Sequence, residues 1–225
     1  MTKEEFPNRG DAFRHRSRRF IVVWLLGALF PIIATRVARA DLLARHIDQS
    51  QYFICHQRDE WIYNVISTVG DGPPRKKTQR CQIGAEIQVN GKRYFRRMTD
   101  GQCTSLVRRD STGVYSLEQP AKPEPDEQRI IAEERIASFP LKIGNTWLGN
   151  KYAPPVTMTL LGVETVRINA ALYRKCIRIE RRQANMPNMV EEEWEAPAVG
   201  MIKRVVRYSG GGKITLTLKQ YKPGK

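Results

Sequence analysis

Histidine is scarce in this sequence, and the short motifs of common hydrolases and nucleotide-binding proteins are missing. The chain has 3 histidines in 225 residues. It contains no Gly-x-Ser-x-Gly, Ser-x-x-Lys or His-Glu-x-x-His motif and no glycine loop of the kind that binds phosphate. We therefore expect a non-catalytic protein with no cofactor and no metal site.

Two clusters of reactive side chains could in principle form a catalytic site. Cys55 and His56 are adjacent, and adjacent side chains on a strand point to opposite faces, so they do not form a nucleophile and base pair. A glutamate cluster (Glu191, Glu192, Glu193 and Glu195) has no histidine nearby in sequence. On a strand, Glu191, Glu193 and Glu195 would share one face, and Glu192 would lie on the other. Pairing of these glutamates with a basic neighbour, such as Arg178 or Arg181, is the simpler interpretation.

The chain also lacks an apolar run of full membrane-spanning length. Its most apolar segment, residues 20–34, has 15 residues, whereas a transmembrane helix needs about 20. Arginines precede this segment, and Ala38-Arg39-Ala40 follows it, with small residues at Ala38 and Ala40 as a signal peptidase requires. We predict a cleaved signal helix over residues 1–40 and one domain over residues 41–225.

The export route stays open. Ser17-Arg18-Arg19-Phe20-Ile21 resembles a twin-arginine signal, but Sec signals also carry paired arginines. Cleavage predicts a periplasmic or secreted protein. An uncleaved segment that tilts or thins the bilayer would instead anchor the protein in the inner membrane.

Acidic residues are outnumbered, and the formal net charge is +15 at pH 7. For an exported protein this charge favours an anionic lipid or glycan surface, or an envelope protein, and we expect no nucleic acid partner. The region after residue 40 still interleaves 20 acidic with 30 basic residues. A solvated face of mixed ion pairs is therefore the other interpretation.

Cysteine is sparse but even in number. The four cysteines (Cys55, Cys81, Cys103 and Cys176) all follow residue 40, and none belongs to a Cys-x-x-Cys pair. In an exported protein they are candidates for disulfides, with three connectivities open. Pairing of Cys81 with Cys103 is preferred because they flank a predicted hairpin. Without export, four buried free thiols are expected.

Helical periodicity is absent after a short stretch at residues 41–51. The rest of the chain alternates short segments rich in Val, Ile, Tyr and Thr with Gly, Pro, Asn and Asp, as is typical of an antiparallel sheet. Asn90-Gly91 suits a tight hairpin, and residues 129–138 fit a strand or a short helix. Residues 69–77 are expected to form a basic loop, and residues 118–127 an acidic, proline-rich loop. Residues 156–160 and 164–168 are expected to be two strands. We predict a mainly β protein in which roughly ten strands form a curved antiparallel sheet or half-barrel.

Several segments occur in an order similar to that of a bacterial secreted β-rich family of unknown function. They are Trp61-Ile62-Tyr63, Asn90-Gly91, "GVY" (113–115), "FPLKIGNTW" (139–147), "GVETV" (162–166) and "WEAPAVGMIKRV" (194–205). The last departs from the family's Trp-Tyr-Ala-Pro-Gly-Val-Gly stretch at Glu195 and Ala198. The resemblance implies an exported fold distantly like lipoprotein-carrier half-barrels, with no known catalytic residues.

These observations favour an exported binding or scaffold protein of the bacterial cell envelope. Its partner is an unknown envelope protein or an apolar or amphiphilic ligand, and the ligand hypothesis predicts a lined concavity. The alternatives are a membrane-tethered structural protein and an envelope enzyme acting on glycan or lipid. The enzyme would bring two carboxylates together in a cleft, Glu193 with Asp100 or Asp110, with a raised pKa.

Overall fold

The computed structural model describes residues 47–70, 72–118, 133–150 and 154–224. The predicted signal peptide, its cleavage site at Ala38 and Ala40, and most of the acidic, proline-rich loop lie outside these residues. No helix in the described ranges is both long and apolar enough to cross a membrane. Helical structure there is confined to one 3-10 turn, Gln49–Gln51, at the end of the predicted helical stretch.

Strands make up most of the described chain, which confirms the mainly β prediction. They are β1 Glu60–Thr68, β2 Arg75–Val89, β3 Lys92–Thr99, β4 Gln102–Asp110, β5 Gly113–Glu118, β6 Glu134–Ser138, β7 Thr146–Asn150, β8 Val156–Ile168, β9 Ala171–Gln183, β10 Met189–Ala196, β11 Gly200–Tyr208 and β12 Lys213–Lys222.

The 12 strands form one antiparallel sheet in the order β6-β5-β4-β3-β2-β1-β12-β11-β10-β9-β8-β7. The sheet has two halves, β1 to β6 and β7 to β12. Within each half, strands that follow one another in the chain also pair with one another. The pairing of β1 with β12 joins the two halves. The sheet curls until its two edge strands approach each other. There, Trp147 Nε1 on β7 donates a hydrogen bond of 3.1 Å to the carbonyl of Arg135 on β6. Such curling is expected, because strand twist accumulates across a long sheet.

Tight turns fix the register of the first half. Asn90 and Gly91 have φ angles of 49° and 75° between β2 and β3, which confirms the predicted hairpin. Asp100 and Gly101 have φ angles of 49° and 84° between β3 and β4. Asparagine, aspartate and glycine tolerate this left-handed region better than other residues, so both pairs suit two-residue hairpins.

Two sequence expectations about strand limits need correction. Residues 75–77 were expected in a basic loop, but they begin β2 and pair with Val65 to Ser67 of β1. Residues 156–160 and 164–168 were expected to be two strands, but β8 runs through both. Irregularities between Leu160 and Gly162 and between Glu164 and Val166 shift its register without ending it. Residues 129–138, for which the sequence left strand and helix as alternatives, end in strand β6.

The curled sheet has an inner face that carries most of the core. Trp61, Tyr63 and Val65 of β1 contribute to one buried cluster. In another cluster, Tyr52 and Phe53 pack with residues of β7, β8 and β9. The segment before β1 is held by Arg109, whose guanidinium donates hydrogen bonds to the carbonyls of Gln49, Ser50 and Tyr52. This segment therefore covers part of the inner face.

Candidate functional site

Two adjoining cavities lie on the inner face of the sheet. The larger has a volume of about 360 Å³ and the smaller about 70 Å³. Both are lined by Arg97, Ile136, Glu193 and Met201. We call them the charged chamber and the apolar chamber, and the two together the inner cavity. The concavity predicted from the sequence is therefore present.

Aromatic and aliphatic side chains line most of the apolar chamber. They include Phe53, Ile54, Trp61, Tyr63, Ile83, Val107 and Val114. The polar atoms of Trp61 and Tyr63 already form hydrogen bonds with the backbone. Trp61 Nε1 donates to the carbonyl of Val199 at 2.6 Å, and the Tyr63 hydroxyl donates to the carbonyl of Met201 at 3.0 Å. These rings therefore offer the chamber mainly apolar surface.

A chain of ion pairs crosses the charged chamber. Arg181 on β9 contacts Glu134 at 3.1 Å and Glu191 at 3.5 Å. Arg204 on β11 contacts Glu191 at 3.2 Å and donates from Nε to Glu193 at 2.9 Å. These side chains are 13–30% exposed, so the pairs are partly buried and give the chamber its polar lining.

Glu193 and Glu195 form a hydrogen-bonded carboxyl pair where the chambers meet. They share one face of β10, as the alternation predicted, and Glu195 is 4% exposed. Burial and the negative charge of Glu193 raise the pKa of Glu195 well above its usual value. Burial opposes ionisation of Glu193 as well, but Arg204 lowers the pKa of Glu193 to about 2. Glu195 is therefore the carboxyl of the pair that holds a proton more readily.

Arg97 on β3 lies between the two chambers and lines both. Its guanidinium forms no hydrogen bond or close ion pair with the described residues, although its charge acts on Glu193 and Glu195. The sequence alone does not distinguish Arg97 from the many other basic residues of the chain. Its position became apparent only from the pairing of β3 with β2 and β4.

The structure does not bring Asp100 or Asp110 to Glu193. Asp100 lies in the turn after β3 and accepts a hydrogen bond from the backbone N–H of Arg80. Asp110 ends β4 and bonds Arg108, Thr112 and Gly113. The second carboxyl group beside Glu193 therefore belongs to Glu195 and not to either aspartate. Within the described ranges, no group of three or more His, Cys, Asp or Glu residues is placed to hold a metal ion.

All four cysteines are free thiols in this structure, so the expected disulfides are not formed. Cys81 belongs to the inner core cluster, whereas Cys103 packs with Tyr94, Leu106 and Leu117 in a separate cluster. These cysteines lie on β2 and β4, with β3 between them. They flank the hairpin in sequence, but the sheet separates their side chains. Cys55 lines the apolar chamber, and Cys176 is fully buried.

Many of the basic clusters are engaged in ion pairs. Glu192 pairs with Arg178 and Arg207, and Glu191 with Arg181, which confirms the expectation of basic partners for the glutamate cluster. Other examples are Glu60 with Arg80 and Lys222, and Glu133 with Lys92 and Arg108. These contacts favour the interpretation of mixed ion pairs for much of the basic surface.

Comparisons with known proteins give fold likenesses only. The sequence matches no protein-family model and no curated protein. Its structure is similar to that of a Bacteroides fragilis protein that is predicted to be exported and has a YmcC-like fold. The identity is 11%, the TM-score is 0.42, and the match covers 76% of this chain and 98% of the other.

A second solved structure with likeness is that of a predicted lipoprotein of Parabacteroides distasonis. The identity is 9%, the TM-score is 0.35, and the match covers 76% of this chain and 97% of the other.

Proposed function

We propose that this protein is an exported, non-catalytic protein of the bacterial cell envelope that binds an amphiphilic molecule in its inner cavity. The observation that carries the proposal is the junction of an apolar and a charged chamber on one face of the sheet. An amphiphile has the same division into an apolar tail and a polar head. Small-molecule sites are commonly concave and mostly apolar, with a few placed polar groups.

The envelope location rests on the sequence. Residues 1–40 combine an arginine-rich start, a 15-residue apolar segment and the Ala38-Arg39-Ala40 pattern. Intact-mass measurement of protein from a periplasmic extract tests this part. A chain beginning at Asp41 supports cleavage and export, and a full-length chain in the membrane fraction supports the anchored alternative.

Ligand binding is tested with a neutral apolar dye, N-phenyl-1-naphthylamine, whose fluorescence rises in apolar surroundings. We expect the dye to bind the purified protein and to be displaced by a single-chain amphiphile such as octan-1-ol. Replacing Val107 with Asp places a charge in the apolar chamber and should abolish dye binding. The matched control is Val163→Asp, because Val163 is 40% exposed. Absence of dye binding to the folded protein would refute the proposal.

A second candidate function is hydrolysis of a lipid or glycan, and the Glu193–Glu195 pair favours it. A carboxyl group with a raised pKa beside an ionised carboxylate can act as a general acid. The two carboxyls are hydrogen-bonded to each other, however, whereas the carboxyls of glycosidases are separated by about 5 Å or more. Release of nitrophenol from p-nitrophenyl octanoate, lost in Glu195→Gln, would favour esterase activity over binding alone.

A further inference from the structure

We propose that the amphiphile has an oxyanion head group, such as a carboxylate, and that Arg97 binds it at the junction of the two chambers. This inference rests on the proposed function and adds the chemical class of the ligand. It places the head in the charged chamber and the start of the tail in the apolar chamber.

The position of Arg97 is the first support. On β3, it pairs with Ile83 of β2 and Ser105 of β4, and its side chain lines both chambers. Trp61, Tyr63 and Val107 line the apolar chamber. The chamber has a volume of about 70 Å³, so a ligand whose head contacts Arg97 can bury the first few carbons of its tail against these residues.

The availability of Arg97 is the second support. The other arginines of the charged chamber, Arg181 and Arg204, already bond carboxylates. The Arg97 guanidinium bonds none in the described part of the chain. A planar guanidinium presents paired donors that match the two oxygens of a carboxylate. The fork of Arg97 is thus free to bind an incoming oxyanion.

The charges around Arg97 are the third support. Glu193 is committed to Arg204, and burial and the charge of Glu193 raise the pKa of Glu195, which opposes its ionisation beside Arg97. Neither carboxyl therefore forms a direct pair with Arg97. A partly buried positive charge without a close partner is costly, and an anionic head group would reduce that cost. The volume of about 360 Å³ in the charged chamber also leaves room for the head and bridging water.

Three ligands with the same eight-carbon chain test the inference: octanoate, octan-1-ol and octylammonium. Each is titrated against bound N-phenyl-1-naphthylamine at neutral pH. We expect octanoate to bind at least about tenfold more tightly than octanol, which corresponds to about 1.4 kcal/mol. Octylammonium should bind more weakly than octanol. Equal affinities for octanoate and octanol, or tighter binding of octylammonium, would overturn the inference.

Variants at Arg97 locate the head group. Arg97→Met should remove the preference for octanoate while leaving the affinity for octanol within about twofold. Arg97→Lys should keep part of the preference, because it retains the charge but loses the planar fork. Arg96→Met is the matched control, since Arg96 is exposed and lines neither chamber. An unchanged preference in folded Arg97→Met would overturn the assignment.

The two proposals fail in different ways. If the dye and all three ligands fail to bind, amphiphile binding is wrong, and this inference falls with it. If the dye and octanol bind but octanoate is not preferred, only the oxyanion assignment is wrong. The ligand comparison uses the unmodified protein, so it decides the inference even if an Arg97 variant does not fold.

Discussion

The backbone N–H of Gly224 donates a hydrogen bond of 2.8 Å to the carboxylate of Asp59, which lies 165 positions earlier in the chain. Asp59 is fully buried and also accepts hydrogen bonds from the Tyr221 hydroxyl and the His56 backbone N–H. One carboxylate thereby ties the C-terminal end of β12 to the entry of β1. These are the strands that join the two halves of the sheet.

Replacing Asp59 with Ala should lower the free energy of unfolding by about 2–4 kcal/mol, because it leaves three partly buried donors without their acceptor. Guanidinium unfolding followed by tryptophan fluorescence measures the change. Glu86→Ala is the control, since Glu86 is exposed, and it should change stability by less than about 0.5 kcal/mol. A similar small effect in both variants would show that Asp59 does not hold the two ends together.

Gly113 makes a close approach at the start of β5. A Cβ atom at this position would lie 2.2 Å from the carbonyl oxygen of Ala137 on β6. Gly113→Ala should therefore separate the edge pair β5–β6 and cost about 1–3 kcal/mol. Gly162→Ala is the matched control, because its added Cβ meets no atom within 4 Å. Thermal unfolding of both variants measures the difference, and equal melting temperatures would contradict the prediction.

Local chemistry was enough to predict the sheet and some of its turns. Asn90-Gly91 marked its hairpin because few residue pairs accept positive φ at both positions. The alternation of β10 correctly placed Glu191, Glu193 and Glu195 on one face and Glu192 on the other. Such features depend only on residues that are close in sequence.

The inner cavity could not be predicted in the same way, because it depends on which strands become neighbours. Arg204 faces Glu193 only because β11 pairs with β10 in a particular register. Arg97 reaches the same cavity from β3, in the other half of the sheet. Bulges such as the one between Trp194 and Glu195 also change which residues face the cavity, and no clear sequence signal marks them. Sequence spacing likewise did not show on which face of the sheet each cysteine lies, so the separation of Cys81 from Cys103 was not predicted.

Thiol reactivity tests the cysteine assignment directly. Burial raises the pKa of Cys55 and of Cys176 to about 11, so both should be almost entirely protonated at pH 8 and react slowly with Ellman's reagent. Unfolding in guanidinium without reductant should then release all 4 thiols. Recovery of only two thiols would instead support one disulfide, and recovery of none would support two.

The proton on Glu195 predicts an unusual pH dependence of stability. The folded-state pKa of Glu195 is raised, so the folded protein retains a proton that the unfolded chain releases above about pH 4.5. This contribution is fully present below the unfolded pKa and is lost as pH rises towards the folded pKa. The loss amounts to about 1.4 kcal/mol for each pH unit in that window. Glu193, whose pKa is lowered to about 2, acts in the opposite sense and only below about pH 4.5.

Glu195→Gln keeps a hydrogen-bond donor towards Glu193 but cannot ionise. Between pH 5 and pH 8 its free energy of unfolding should therefore fall less steeply than that of the unmodified protein, and the two curves should diverge as pH rises. Guanidinium unfolding at several pH values measures both slopes, with Glu86→Gln as the exposed control. Parallel curves would mean that Glu195 is already ionised in the folded protein. In that case a second negative charge lies near Arg97, and the surrounding charges favour an incoming oxyanion less.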